Sequence, residues 1–174
     1  MLFRSCPQFF TLTEDAVLEK GSMARINPPL RTEKDVKAII AGLKDGTLDC
    51  IVTDHAPHSA EEKARPLPQA PSGMVGLETS LALTLTALYH TKKMDMPSII
   101  RRMTTNPADI LHLPKGRMSL GSDADLVIFD PDEEWVIDPE QFASKGRNTP
   151  FAGTKVKGKV KYTIVKGKII YQDK

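Results

Sequence analysis

The stretch Asp49-Cys50-Ile51-Val52-Thr53-Asp54-His55-Ala56-Pro57-His58 decides how this chain is read. A short apolar run follows a turn and ends in a polar cluster. Such a run predicts a strand buried on both faces, the kind found in parallel sheets. In parallel α/β folds the C-terminal strand ends are where sites are built. Asp54, His55 and His58 stand at that end. An aspartate there can bind a hard or borderline cation through one oxygen, while the other takes a proton from a metal-bound water. His58, four residues further round the turn, can reach an anion or a carbonyl. The same spacing also suits a turn in which Asp54 caps backbone amides and both histidines are solvated. One aspartate and two histidines do not define a metal site, which usually takes three or more protein ligands.

Upstream of the strand, Thr32 offers an N-cap with Asp35 three residues on. Val36, Ile39, Ile40 and Leu43 follow at helical spacing, and Gly46 closes the helix. Asn27-Pro28-Pro29-Leu30-Arg31 cannot be helical, because each proline pushes its predecessor towards extended geometry. Thr11 with Glu14 predicts an earlier helix start by a capping box. Downstream, Ser59 to Ser72 is polar, carries Pro66, Pro68 and Pro71, and is long for a passive connection, which suits a loop near a site. Leu77 to Leu88 predicts a well-buried helix. Pro97 to Met103 predicts a further one. Asn106-Pro107 supplies an N-cap with proline at N1 for a last helix reaching Leu111.

The period changes near Leu113. Ala124–Phe129 and Trp135–Ile137 predict two strands, and Val156–Val165 with Lys168–Tyr171 flank a Lys166-Gly167 hairpin turn. Lys155, Lys157, Lys159 and Lys161 alternate along one strand, as expected of an exposed face whose lysines discourage edge pairing. Trp135 is expected to pack within this β module. The expected order is therefore α/β first, then a small β module.

The bulk composition narrows the classes. The chain has 174 residues, 40% hydrophobic and 26% charged, with a formal net charge of +2. Apolar runs recur along it, which argues against disorder. It has no apolar run of about 18 residues and no secretory h-region, so neither a membrane partner nor a signal peptide is expected. The small charge gives no reason to expect nucleic acid. Cys6 and Cys50, without a Cys-x-x-Cys pair, speak against both a disulfide framework and a cysteine-built metal site.

At this point a resemblance enters. Thr53-Asp54-His55-Ala56-Pro57-His58, Glu61-Glu62-Lys63 and Gly73-Met74-Val75-Gly76-Leu77-Glu78-Thr79 resemble bacterial dihydroorotases of the longer type within the amidohydrolase superfamily. So do Asn27–Arg31, Thr105-Asn106-Pro107-Ala108, Gly121-Ser122-Asp123-Ala124-Asp125-Leu126 and Ser144-Lys145-Gly146-Arg147-Asn148-Thr149-Pro150-Phe151. The similarity runs from about Cys6 to the C-terminus.

The resemblance implies an α/β chain: the C-terminal portion of a (β/α)8 TIM-type barrel over residues 1–113, then part of a small β-sandwich module over 114–174. A whole barrel takes about 250 residues, so only part of one is expected. It implies a zinc-dependent cyclic amide hydrolase, interconverting N-carbamoyl-L-aspartate and (S)-dihydroorotate in pyrimidine synthesis, in the cytoplasm. Asp54 would be a metal ligand and the general acid/base. Asn27 and His58 would hold the substrate's carboxylate and ring polar groups, and Pro71 and Gly73 would offer backbone contacts to the ring amide. His55 is expected to be a supporting hydrogen-bonding residue.

The sequence also departs from the family. The family's His-x-His pair and its further ligands on the middle strands have no counterpart. The four histidines are His55, His58, His90 and His112, and the last two are expected at or near helix ends as surface or packing residues. Where the family carries Pro-His-His, this chain reads Pro7-Gln8-Phe9. Asp54 would thus be the only zinc ligand here, and the isolated chain is expected to be a C-terminal fragment, inactive or nearly so. A homodimer is a further expectation; the alternatives to the dihydroorotase reading are a non-catalytic dihydroorotase-like subunit assembling with aspartate transcarbamoylase, and a hydantoinase or allantoinase relative.

Overall fold

The computed structural model describes residues 3–173. Two short strands, β1 (Arg4–Ser5) and β2 (Cys50–Ile51), pair in parallel with Ser5 opposite Ile51. β2 is the strand predicted from its apolar run, and both of its residues are buried. Its partner β1 carries no sequence signal of its own. An isolated parallel bridge between His55 and Met74 continues the arrangement past the end of β2.

Helix α1 (Pro7–Thr11) follows β1 directly and α2 (Asp15–Lys20) comes next, running into a 3₁₀ turn at Gly21–Ala24. The expected capping box of Thr11 and Glu14 is absent. Thr11 ends α1 by donating its hydroxyl to the Pro7 carbonyl, and Glu14 caps α2 without a side-chain bond. Proline at the first position of α1 set that helix's start four residues earlier.

α3 (Glu33–Asp45) is as expected. The Thr32 hydroxyl accepts from the Asp35 amide, the Asp35 carboxylate accepts from the Thr32 amide, and Gly46 closes the helix in the left-handed region. Val36, Ile40 and Leu43 face the core. The long loop contains a short helix that was not expected, α4 (Ala60–Lys63), with its own capping box between Ser59 and Glu62.

α5 (Ser80–Thr84) begins three residues later than predicted and continues as a π turn over Leu85–Tyr89. α6 (Met96–Met103) is capped by Asp95. α7 (Thr105–Ile110) takes Asn106 inside the helix rather than as its cap, because the Asn106 amide group instead donates to the Asp49 carbonyl at 2.8 Å.

The last third is one antiparallel sheet in the order β3-β4-β5. The two strands expected at 124–137 are a single strand, β3 (Leu126–Val136), with register shifts that absorb the polar stretch between Asp130 and Glu134. β4 (Lys155–Val165) and β5 (Lys168–Gln172) form the expected hairpin. Lys166 and Gly167 both have positive φ, as a two-residue turn of this hand requires. Among the described residues this is one sheet layer, so no second layer of a sandwich is seen. β4 is the central strand, which corrects the expectation that its lysines guard an edge. Three of them pair instead with carboxylates on either side: Lys157 with Glu134 at 3.4 Å, Lys159 with Asp173 at 3.2 Å, and Lys161 with both Asp173 and Glu133. β3 and β5 are the two edges, and β5 leaves Ile169, Ile170 and Tyr171 exposed.

Two apolar clusters hold these parts together, and both draw on residues before and after Leu113. One joins Ile26, Met74, Val75 and Leu83 to Ile137, Phe142, Phe151 and Val156, with Trp135 packed against it. The Trp135 ring nitrogen donates to the Gly158 carbonyl at 3.0 Å, in line with its expected packing role. The other joins Leu43 and Ile51 to Leu85, Leu88 and Ile99, with Phe129 of β3 against it. Each fully buried leucine here contributes about 1.5–3 kcal/mol. Gly158 lets the sheet approach the π turn that follows α5: a Cβ there would lie 2.5 Å from the Leu85 side chain. No helix among the described residues is long and apolar enough to cross a membrane.

Candidate functional site

The site is built where the chain leaves β2. Asp54 is exposed and has φ of 50°, in the left-handed region that a non-glycine residue seldom occupies. Such a conformation persists only where its surroundings impose it, and it is common at sites. What imposes it lies on both sides. The Val52 amide is tied to the Ser5 carbonyl at 2.8 Å, and His55 is bridged to Met74. The chain must turn between these two anchors, so the Asp54 carboxylate is left standing at the strand end. Cys6, at the end of the neighbouring strand, feels that charge. Burial pushes the Cys6 thiol up to about 12, the Asp54 charge adds to this, and Arg4 opposes it.

His55 is tied to the backbone of the 76–77 segment. Its Nδ1 accepts from the Gly76 amide at 3.2 Å and the Leu77 amide at 3.4 Å, so in the neutral ring the proton sits on Nε2. This is the supporting hydrogen-bond role expected of it. His58 is partly buried. Its Nε2 donates to the Ser72 carbonyl at 3.1 Å, and its Nδ1 lies 3.8 Å from the Glu62 carboxylate. Only Nδ1 is left for any further partner, and it carries a proton only in the charged ring. Glu62 is held below the usual carboxylate range, chiefly by its Ser59 capping bonds and then by the charge of His58.

Gly73 and the Ser72 carbonyl lie against the His58 ring, and Pro71 precedes them in the same segment. Gly73 has φ of 137°, and a Cβ there would come within 2.6 Å of the Ala56 Cβ and 3.1 Å of His58 Nε2. A larger residue would have to displace Ala56 and would crowd the His58 ring. The backbone groups of Pro71 and Gly73 are engaged within the chain: the Gly73 amide donates to the Arg25 carbonyl at 2.9 Å, and the Pro71 and Gly73 carbonyls both accept from Lys63. Asn27 is exposed, two residues beyond Arg25 and followed by a cis bond to Pro28. Together with Arg25, Pro29, Leu67 and Ser72 it lines a cleft of about 510 Å³. The structure thus gathers Asn27, His58, Pro71 and Gly73 around one segment, while Asp54 stands at the strand end that leads into it.

Three residues of the site had no role assigned from sequence. Asn148 is buried and binds three ways: its Oδ1 accepts from the His58 amide at 2.9 Å, and its Nδ2 donates to the Ala56 and Gly73 carbonyls at 3.0 and 3.1 Å. Glu78 accepts from the amides of Ala143 and Ser144, anchoring the segment that carries Asn148. Lys63 is buried and donates only to carbonyls. All three belong to the motifs that carry the resemblance, which was the one signal available. Neither period nor polarity marks them, since each looks like an ordinary solvated residue. His90 holds the Pro131 carbonyl at 2.8 Å and His112 is exposed, so both fit their packing and surface roles.

The donor set can be tested against a metal. Among the described residues no three His, Cys, Asp or Glu side chains come together so as to hold an ion. A catalytic zinc takes three protein ligands. The residues present do not fit that group by themselves.

Charged and hydrogen-bonding groups thus stand at the end of a parallel strand pair in a chain of mixed α/β class. Residues 9–170 match the model of the Amidohydrolase family, and the chain belongs to that family. It is similar to a protein named dihydroorotase from Anaplasma phagocytophilum, 53% identical over 166 residues that cover 95% of this chain and 37% of that protein. It is likewise similar to a dihydroorotase from Clostridium acetobutylicum, 49% identical over 174 residues, 100% of this chain and 41% of the relative. Among solved structures it resembles an L-hydantoinase (dihydropyrimidinase) from Arthrobacter aurescens, with a TM-score of 0.92 at 30% identity over 97% of this chain and 39% of that one. The chain therefore spans about two fifths of the length of the relatives it matches.

Proposed function

We propose that this chain forms the Asp54-bearing part of a cyclic amide hydrolase that acts on dihydroorotate. The observation that carries the proposal is Asp54 itself, an exposed carboxylate held in a left-handed turn at a parallel strand end, inside a stretch that resembles the dihydroorotases. In this proposal Asp54 takes the proton of an attacking water as its oxygen bonds to the ring amide carbon. Asp54 then delivers that proton to the ring nitrogen as the carbon–nitrogen bond breaks, giving N-carbamoyl-L-aspartate. The reverse path closes the ring.

Asn27 and His58 are proposed to bind the substrate's carboxylate and polar ring atoms, with the Pro71–Gly73 segment shaping the floor beneath the ring. The zinc ligands other than Asp54 come, in this proposal, from residues outside this chain. Identity of about half to dihydroorotases, against 30% to the hydantoinase, favours dihydroorotate over hydantoins as substrate.

The test is a chimera in which this chain replaces the matching part of the Clostridium acetobutylicum relative. Dihydroorotate hydrolysis is expected, and Asp54→Asn in the chimera should lower kcat by about 10²–10⁴-fold. An unchanged rate would remove Asp54 from the chemistry. A chimera that hydrolyses hydantoin but not dihydroorotate would overturn the substrate assignment.

A further inference from the structure

Among the described residues Lys63 is the only Lys, Arg, Asp or Glu that is fully buried, at 1% exposure. A buried ammonium is costly unless its hydrogen bonds are met. Here they are met without an acid. Its three N–H groups face three backbone carbonyls: Pro71 at 3.0 Å, Gly73 at 3.1 Å and Arg25 at 3.5 Å. Burial, and then the nearby Arg25 charge, lower its pKa from the usual lysine range.

The three carbonyls belong to two segments far apart in sequence, and Lys63 belongs to a third. The same three segments are stitched together again around it. The Ser22 hydroxyl donates to the Lys63 carbonyl, the Gly73 amide donates to the Arg25 carbonyl, and the Arg25 guanidinium donates to the Leu67 carbonyl. Between the two carbonyls gripped at Pro71 and Gly73 lies that of Ser72, which takes the His58 ring N–H. Asn27 follows the third gripped residue by two positions. A monovalent cation bound at this point would meet the same ring of carbonyl oxygens.

We propose that Lys63 is a positioning residue, a built-in cation that locks the 71–73 segment to the Arg25 turn and so sets the His58 ring. What the locked segment serves rests on the dihydroorotate proposal, while the locking itself does not.

The test uses the whole chain and needs no turnover. In the wild type the Lys63 ammonium protons should appear by ¹⁵N NMR and exchange at least tenfold more slowly than those of exposed Lys37. In Lys63→Met the Gly73 amide should exchange at least tenfold faster and the His58 Nε2–H signal should vanish, while amides of α3 and β4 keep their protection. Unchanged Gly73 and His58 signals in a folded variant would overturn the proposal. So would a uniform loss of protection, which would mark Lys63 as a general stabiliser only. If Lys63→Met does not fold, the wild-type ammonium decides: exchange as fast as that of Lys37 refutes the lock, and slow exchange supports it. Failure here would leave the dihydroorotate proposal standing, and an inactive chimera would leave Lys63 in its role.

Discussion

Asn148→Ala should be the most damaging single change outside the apolar core, and its cost can be worked from the contacts. The side chain is 2% exposed and makes three hydrogen bonds, to the His58 amide and to the Ala56 and Gly73 carbonyls. Its own carbonyl, which accepts from Val75, survives the substitution. So does the bond from Lys63 to Gly73. Two groups are therefore orphaned, the His58 N–H and the Ala56 C=O. An unsatisfied buried polar group costs about 1–3 kcal/mol. His58 and Ala56 are only partly buried, so water recovers some of this, and a loss of about 3 kcal/mol is expected from the same range. For a chain of this size that is roughly 6–12 °C in Tm.

Asn148→Asp refines the test. It keeps the acceptor for His58 but turns a carboxylate oxygen towards two carbonyl oxygens. At pH 7 it should be at least as destabilising, with partial recovery in acid, where a protonated carboxyl can donate. Urea and thermal unfolding followed by circular dichroism measure both. A loss below about 0.5 kcal/mol for Asn148→Ala, the range of inert surface changes, would refute the accounting. So would an Asp variant as stable as the wild type.

Three further outcomes are expected. Thr32→Ala removes one half of the α3 capping box and should cost about 1 kcal/mol in urea unfolding; no change would mean the cap is dispensable. Cys6 and Cys50 are buried, and burial pushes the Cys6 thiol up to about 12, so neither should react with a disulfide reagent at pH 8 until the chain is unfolded. Rapid labelling of either thiol in the native chain would contradict that. Asp173 is held below its usual 3.8 chiefly by its Lys161 hydrogen bond. A depressed carboxylate contributes stability above its unfolded pKa and loses it as pH falls through the folded one. The Tm difference between wild type and Asp173→Asn should therefore shrink towards zero as the pH is lowered below about 4, and a difference that stays constant in acid would assign the effect elsewhere.

Much of the local structure was legible because its causes are local. The α3 cap, its apolar face and its closing glycine lie within fifteen consecutive residues, and the Lys166-Gly167 turn within two. Where neighbours compete, the local signal misled. Thr11-x-x-Glu14 has the pattern of a cap, but Pro7 had already started a helix that Thr11 ends. Asn106 has the chemistry of a cap, but the Asp49 carbonyl, 57 residues away in the chain, claims its amide. The lysines of β4 look like an edge until β5 folds over and makes their strand central.

The sequence by itself determined where the candidate site lies, because an apolar run ending in Asp54-His55-Ala56-Pro57-His58 carries both the strand and its terminal charges in one stretch. Tertiary structure alone decided how those groups are used. The seats of His58 and Gly73 depend on hydrogen bonds with Lys63 and Asn148, and the Asn148 bonds span 75 to 92 residues. In sequence Lys63 and Asn148 are indistinguishable from solvated polar residues. Burial turns them into obligatory partners, since a polar group removed from water must find its hydrogen bonds inside the fold.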